Sequence, residues 1–389
     1  MLDIVCVCSP RHLNIGRGAL RDVVDMLGKI GNIYNPLIVT DKMMVQVGIV
    51  GNLQEYLRKG GLKSAVFDEV LPDPTDDIVL AGVKATIDGG HDAVIGLGGG
   101  SPLDAGKAIA VMAKNSRNIQ DYRPPNMFNG TGLPMMAIPT TAGTGSEVTH
   151  HTVIIHNETR EKISCRGEGF VPSAAIIDYE LSLSKPKRLI ADNALDTLTH
   201  AIEAYVSRKA TLYSDRMALD CMRLVAANVD TAYADPENLP AREALMLAAT
   251  FGGLAFSNAS IALVHAMSRP LGSLFKVPHG MSNAMLLPTV TEYSKDAAPV
   301  RYADCARALG LASDNESDEK ACGSLIAGLY DYNARLEVPT LSGFGLDLDR
   351  YTQKQAAMAD DALRSGAPNH NPRVPDQQDI IDLFQKAWG

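Results

Sequence analysis

The pattern of apolar residues changes character once along this chain, near residue 185, and that change constrains the fold more than any other feature. Before it, short apolar or β-branched runs alternate with helical periodicities: PLIVT (36–40), AVFDEV (65–70), DAVIGLG (92–98), PMMAIPT (134–140) and AAIID (174–178). Such alternation predicts a parallel sheet covered by helices on both faces. After it β-branched runs almost vanish, and helical patterns fill 187–208, 212–232, 239–257, 259–275, 295–310, 316–335 and 376–387. The polar, proline-containing LSLSKPKR (181–188) marks the boundary. The expectation is an α/β domain over 1–184 and an all-helical domain over 185–389, a division that suits a length of 389 residues. The polar stretch 366–379 reads as a surface loop.

Composition narrows the function classes. A net charge of −9 without a dense Lys/Arg cluster argues against a nucleic-acid partner. No run of apolar residues is long enough for a membrane span, and MLDIVCVCSPRH lacks the basic lead-in of a signal peptide. The six cysteines (Cys6, Cys8, Cys165, Cys221, Cys305, Cys322) form no C-x-x-C pair. They read as small buried apolar side chains of a reducing, cytoplasmic compartment.

Two sets of residues carry chemistry. Asp196 and His200 stand four apart on an Ala/Leu/Ile-rich helical pattern, so a carboxylate and an imidazole share one helix face. His265 and His279 follow in LVHAMSRPLG and KVPHGMSNAM. One Asp and three His suit a borderline divalent ion such as Fe²⁺ or Zn²⁺. The D-x-x-x-H spacing alone is met equally by a hydrogen-bonded pair at a helix–helix contact.

The second set is VIGLGGGSPLDAGKAIA (94–110), a strand running into Gly98-Gly99-Gly100-Ser101 and a helix opening near Pro102. Glycines allow close approach of a phosphate, and a helix N-terminus offers free N–H groups and positive potential. The pattern is not G-x-G-x-x-G, and a tight strand–helix connection is the plain alternative. Asp41, after PLIVT, can accept bonds from an adenosine ribose and repel a 2′-phosphate, which favours NAD over NADP; it can also cap the helix that follows. IPTTAGTGSEVTHH (138–151) either lines a nucleotide cleft or forms a simple Gly/Thr loop.

Taken together, GGGSPLDAGKAIA, IPTTAGTGSEVT, DTLTHAIEAYVS, LVHAM with PLG, and VPHGMSNAMLLP resemble the iron-containing (group III) alcohol dehydrogenase family, in the family's order and over nearly the whole chain. The resemblance implies a Rossmann-like NAD-binding α/β domain and a helical metal-binding domain in a dehydroquinate synthase-like architecture, with the site in the cleft between them. It implies Asp196, His200, His265 and His279 as metal ligands and Gly98, Gly99, Gly100 and Ser101 as the pyrophosphate loop, with Asp104 close behind. It further implies Asp41 as the residue setting NAD preference, and Thr140, Thr141, Thr149, Lys162 and Leu181 as lining the nucleotide site. A homodimer or larger homo-oligomer is implied as well.

Three positions depart from the family pattern. Arg269 stands where many members carry a substrate-side histidine, His151 stands where Asn or an aromatic residue is common, and Asp73 replaces a frequent Asn. The implied reaction is reversible hydride transfer between NAD(H) and a small alcohol or aldehyde. Arg269, one turn after His265, suggests a substrate bearing a carboxylate, sulfonate or phosphonate, and a structural salt bridge is its alternative role. His151 is a candidate replacement proton carrier. A dehydroquinate synthase-like lyase and a non-catalytic nucleotide- or metal-binding protein are the competing readings.

Overall fold

The computed structural model describes residues 4–123, 125–159 and 161–389. Its described residues divide into two compact units, one of residues 6–184 and one of residues 185–389 together with Ile4 and Val5.

In the first unit six strands form one parallel sheet: β1 (His12–Ile15), β2 (Pro36–Val39), β3 (Ala65–Phe67), β4 (Ala93–Gly98), β5 (Met135–Pro139) and, after a hairpin, β8 (Ala174–Ile177). Their order is β1-β8-β5-β4-β2-β3. β2, β4, β5 and β8 are buried along their whole length, as the continuous apolar runs require of strands covered on both faces. Helices α1 (Val23–Ile30), α2 (Lys42–Gln46), α3 (Ile49–Lys59), α4 (Asp76–Asp88) and α5 (Gly100–Lys114) connect and cover the strands. β6 (His151–Ile155) and β7 (Lys162–Arg166) pair antiparallel as a separate hairpin.

β1 and this hairpin give no clear signal in the residue pattern. β1 alternates half-buried and exposed residues at the sheet edge, so HLNI lacks the apolar run that announces an inner strand. The hairpin follows directly on the Gly/Thr-rich segment, whose composition masked the start of HTVII.

The second unit is helical: α6 (Lys187–Val206), α7 (Leu212–Ala234), α8 (Leu239–Ser257), α9 (Leu263–Phe275), α10 (His279–Ser294), α11 (Pro299–Ala308), α12 (Asp318–Arg335), α13 (Leu348–Arg364) and α14 (Gln377–Lys386). α6 is the centre. It packs against α7, α8, α9, α10 and α11, and every residue from Leu195 to Val206 is buried. Among the described residues no helix is long and apolar enough to cross a membrane.

Two expectations need correction. The stretch 366–379 is partly interior: Ala367, Pro368 and Asn371 are buried, and the Asn371 amide donates to Ser294 Oγ at 2.9 Å. Of the cysteines, four are buried, but Cys6 is exposed and Cys8 half-buried, because they lie in the segment leading to an edge strand that is paired on one side only.

α5 reaches β4 through glycines. A Cβ on Gly106 would come 3.3 Å from the Gly96 Cα, and one on Gly96 would meet the Met135 methyl at 2.9 Å. This close seating fixes where the N-terminus of α5 sits over the end of β4. Gly106→Val should therefore destabilise the chain by about 1–3 kcal/mol, read as a lowered midpoint in denaturant unfolding; an unchanged midpoint would mean that α5 can shift freely.

Candidate metal centre and glycine-turn site

α6 is buried on all sides yet carries Asp192, Asp196, His200 and Glu203 at spacings of four, four and three, one polar stripe on an apolar helix. Buried charges need partners, and two other helices supply them. α9 brings His265; α10 opens with His279 directly after Pro278. Gly280 lets α10 approach α6 at backbone distance, since a Cβ there would sit 2.2 Å from the Asp192 carbonyl oxygen.

Three of the expected ligands converge. Asp196, His265 and His279 each offer a donor atom within 4.8 Å of the others. Asp196 Oδ1 lies 3.5 Å from His265 Nε2 and 3.7 Å from His279 Nε2. His200 flanks them, its ring stacked between His265 and Phe256 with centroids 4.4 Å from each. Asp196 and His265 are buried, whereas His279 is half exposed, so the cluster opens on one side.

The electrostatics of the cluster favour a cation. Burial by itself would raise the Asp196 pKa, but the imidazoles of His200, His279 and His265 outweigh it and hold the carboxyl below the usual carboxylate range. Burial would lower His265, but Glu203 and Asp196 outweigh it and push its pKa up to about 9. His265 Nε2 is buried and makes no hydrogen bond, although it faces the carboxylate. A mixed carboxylate and imidazole set with an unsatisfied inward nitrogen fits a borderline divalent ion.

Glu203 was not singled out from the sequence. Its Oε2 accepts from His265 Nδ1 at 2.6 Å and from the Ala262 N–H at 2.9 Å, and its Oε1 accepts from the Val264 N–H at 2.5 Å. One carboxylate therefore satisfies the first turn of α9 and fixes the tautomer that leaves His265 Nε2 facing Asp196. Its position seven residues after Asp196, on the same helix face, was the available signal. Asn283, one turn into α10, donates to Asp196 Oδ1 at 2.7 Å and orients that carboxylate from the other side.

In the sheet unit β4 runs through the glycine turn directly into α5. Gly98 has φ +146°, a conformation that favours glycine, and a Cβ there would press on Pro102 at 2.7 Å. Gly99 precedes the first turn of α5, whose N–H groups face the turn. Thr141 lies beside Gly99, and Thr140 donates its N–H to the Gly98 carbonyl at 2.8 Å. Thr140 Oγ1 is buried and has no hydrogen-bond partner. Asp73, with φ +57°, accepts from Lys162 Nζ at 2.7 Å and donates its N–H to Ser101 Oγ at 3.3 Å. Asp73, Ser101 and Lys162 thus meet at the mouth of the turn.

Other expected residues lie apart from it. Asp41 caps α2 by accepting from the Met44 N–H at 3.0 Å. Leu181 lines a separate cavity of about 380 Å³ with Val47, Ile49, Asn52 and Tyr56. Asp104 and Thr149 are interior. Asp104 accepts from Ser146 Oγ at 2.6 Å and from the Val153 N–H at 2.8 Å. Lys107, which the sequence reading missed, is 1% exposed and donates to Ser146 Oγ, Thr149 Oγ1 and the His151 carbonyl at 2.9, 3.0 and 2.8 Å. Its three donors staple the Gly/Thr segment to α5. Burial depresses its pKa to about 8 against the pull of Asp104 and Glu147. A lone lysine among Ala and Ile in DAGKAIA was the signal.

His151 stacks on His150 at 4.2 Å. Burial, then His150, Arg166 and Lys107, hold its pKa well below the usual imidazole value. Arg269 is half-buried on α9, four residues after His265 and on the same face.

Comparison with known proteins bears on this arrangement. The profile of the family described as "Iron-containing alcohol dehydrogenase" matches residues 10–179, and that of "Fe-containing alcohol dehydrogenase family, C-terminal" matches 190–388. The chain is 34% identical over 379 residues to the lactaldehyde reductase of Escherichia coli K12, covering 96% of this chain and 97% of that protein. A crystal structure of 1,3-propanediol oxidoreductase superposes with a TM-score of 0.95 at 34% identity, over 99% of this chain and 100% of that one. Sulfoacetaldehyde reductase from Bifidobacterium kashiwanohense, solved in complex with NAD⁺, superposes with a TM-score of 0.89 at 27% identity, over 100% and 99% of the two chains.

The Glu203 contacts give a direct expectation. Glu203→Gln keeps a similar shape but loses the charge and sets an amide N–H against a backbone N–H. Affinity for Co²⁺ or Zn²⁺, measured by equilibrium dialysis, should fall about 10- to 100-fold, with Glu203→Asp between the two. Unchanged affinity would reduce Glu203 to a helix cap.

Proposed function

The chain belongs to the iron-containing alcohol dehydrogenase family, and from that premise we propose that it interconverts a small anionic aldehyde and its alcohol with NAD(H). The observation that carries this reading is the convergence of Asp196, His265 and His279, with His200 stacked beside them. Asp196, His265 and His279, with His200 beside them, would hold Fe²⁺ or Zn²⁺, and metal analysis of anaerobically purified protein distinguishes the two. When bound, such an ion would supply Lewis acidity toward the substrate oxygen, and NAD would supply the hydride chemistry.

The residues of the chain bind and orient. Gly98, Gly99 and Gly100 with the N-terminus of α5 take the pyrophosphate, and Ser101 offers it a hydroxyl. Lys162, held by Asp73, supplies positive charge beside the turn. Thr140 and Thr141 line the same approach, and Lys107 keeps Thr149 in register with it. Asp41 accepts from the ribose hydroxyls with the carboxylate that also caps α2. Leu181, in its own cavity, takes the apolar side of the adenosine. The outer edge of β1, which exposes Leu13 and Ile15, supports a homodimer that covers it.

Arg269 sets the substrate class. It shares the α9 face of His265, and a guanidinium grips a planar or tetrahedral oxyanion with two parallel bonds. The likeness to a sulfoacetaldehyde reductase supports a sulfonate or carboxylate a few bonds from the carbonyl. Loss of a charged hydrogen bond costs about 1.5–3 kcal/mol, so Arg269→Ala should lower kcat/KM for anionic aldehydes roughly 10- to 100-fold and spare neutral ones. Equal losses on both in an NADH-oxidation assay would sink the anion site.

His151 is less suited to moving a proton than its sequence position suggested. Burial, then His150, Arg166 and Lys107, hold its pKa well below the usual imidazole value, which favours the neutral ring. His151→Ala should leave the pH–rate profile unchanged from about pH 6 to pH 9. A lost limb in that interval would restore the relay role.

A further inference from the structure

We propose that Cys6, Cys8 and Glu168 form a second metal site, on the sheet unit, that takes a soft divalent cation such as Zn²⁺ or Cd²⁺ through thiolates. The three residues each present a donor atom within 4.8 Å of the other two. The C-x-C spacing, in the segment that leads to β1, brings both sulfurs within that distance of each other. A tetrahedral ion with bonds of about 2.3 Å to sulfur and about 2.0–2.2 Å to oxygen needs donors at this kind of spacing.

The third donor is held in place by its backbone. The turn Glu168–Phe170 is fixed by the Gly167 N–H on the His150 carbonyl, the Glu168 N–H on Asn129 Oδ1 and the Gly169 N–H on the Phe128 carbonyl. Neither neighbouring glycine has room for a side chain: a Cβ on Gly167 would lie 2.3 Å from the Phe128 carbonyl oxygen, and one on Gly169 would lie 2.4 Å from the Phe128 ring. Glu168 thus extends outward from a packed base.

On binding a dication the two thiols give up their protons to the buffer. The other four cysteines are buried, and among the described residues none joins such a cluster. Two thiolates and a carboxylate select a softer ion than the sulfur-free set on α6, α9 and α10. The bound ion would clamp the segment ahead of β1 onto the turn at Glu168, a role separate from the dehydrogenase reading.

The difference in donors makes the test clean. The full-length protein is titrated with Cd²⁺ while the ultraviolet thiolate-to-cadmium charge-transfer band is followed; the Asp/His centre has no sulfur and contributes nothing to it. The band should saturate at one ion per chain and vanish in Cys6→Ser and in Cys8→Ser. In Glu168→Gln the affinity should fall on the order of tenfold. NADH turnover of all three variants should match the parent, and Zn²⁺ should raise the thermal midpoint of the parent but not of Cys8→Ser. Absence of the band, or a band that persists in both serine variants, would overturn the site.

Discussion

A helix buried on all sides does not carry carboxylates unless something pays their desolvation, and in this chain α6 carries three, Asp192, Asp196 and Glu203. The helical unit is organised around that cost. Arg188 meets Asp192 at 2.9 Å one turn away. The imidazoles of His265 and His279, with the Asn283 amide, face Asp196. The free N–H groups at the start of α9 and the His265 ring face Glu203. Each carboxylate is answered by a different neighbour, and the arrangement left at Asp196 is a cluster of donors that a cation completes.

Glu203 links folding to chemistry most directly. A helix start has unsatisfied N–H groups and a metal-binding histidine needs its other nitrogen occupied. One buried carboxylate meets both needs, so the start of α9 cannot move without turning His265. The sheet unit solves a parallel problem with Lys107. Its ammonium has three donors and finds three oxygens, which ties the Gly/Thr segment to the helix that opens at the glycine turn. In both units the residues nearest the proposed ligands are set by charged groups one layer behind them.

Much of this was legible in the residues. Buried inner strands announce themselves as unbroken apolar runs, and β2, β4, β5 and β8 form where those runs stand. β1 was not legible because an edge strand with one solvated face has no such run. α10 was seen only as a histidine motif, since Pro288 interrupts its pattern. Asp196 was named with His200 from their spacing, His265 and His279 from the motifs that carry the family resemblance, and Asp196, His265 and His279 meet in space. Asp104 was named for its place behind the glycine loop, yet it faces inward to Ser146 and the Val153 N–H. Sequence proximity to a loop does not say which way a side chain turns. Cys6 and Cys8 were expected inside and are not, because burial depends on which layer covers a segment.

The sequence by itself determined what period and composition encode locally: the parallel sheet, the helical second half, the strand–glycine–helix turn, and a carboxylate and imidazole on one face of α6. Tertiary structure alone decided which distant groups share a dielectric. Glu203 reaches a histidine 62 residues away, Lys107 reaches a hydroxyl 42 residues away, and Glu168 comes to rest beside two cysteines at the other end of its unit. The physical reason is that local periodicity fixes the face on which a side chain stands, whereas its charge state and partner depend on the water excluded by whatever packs against that face.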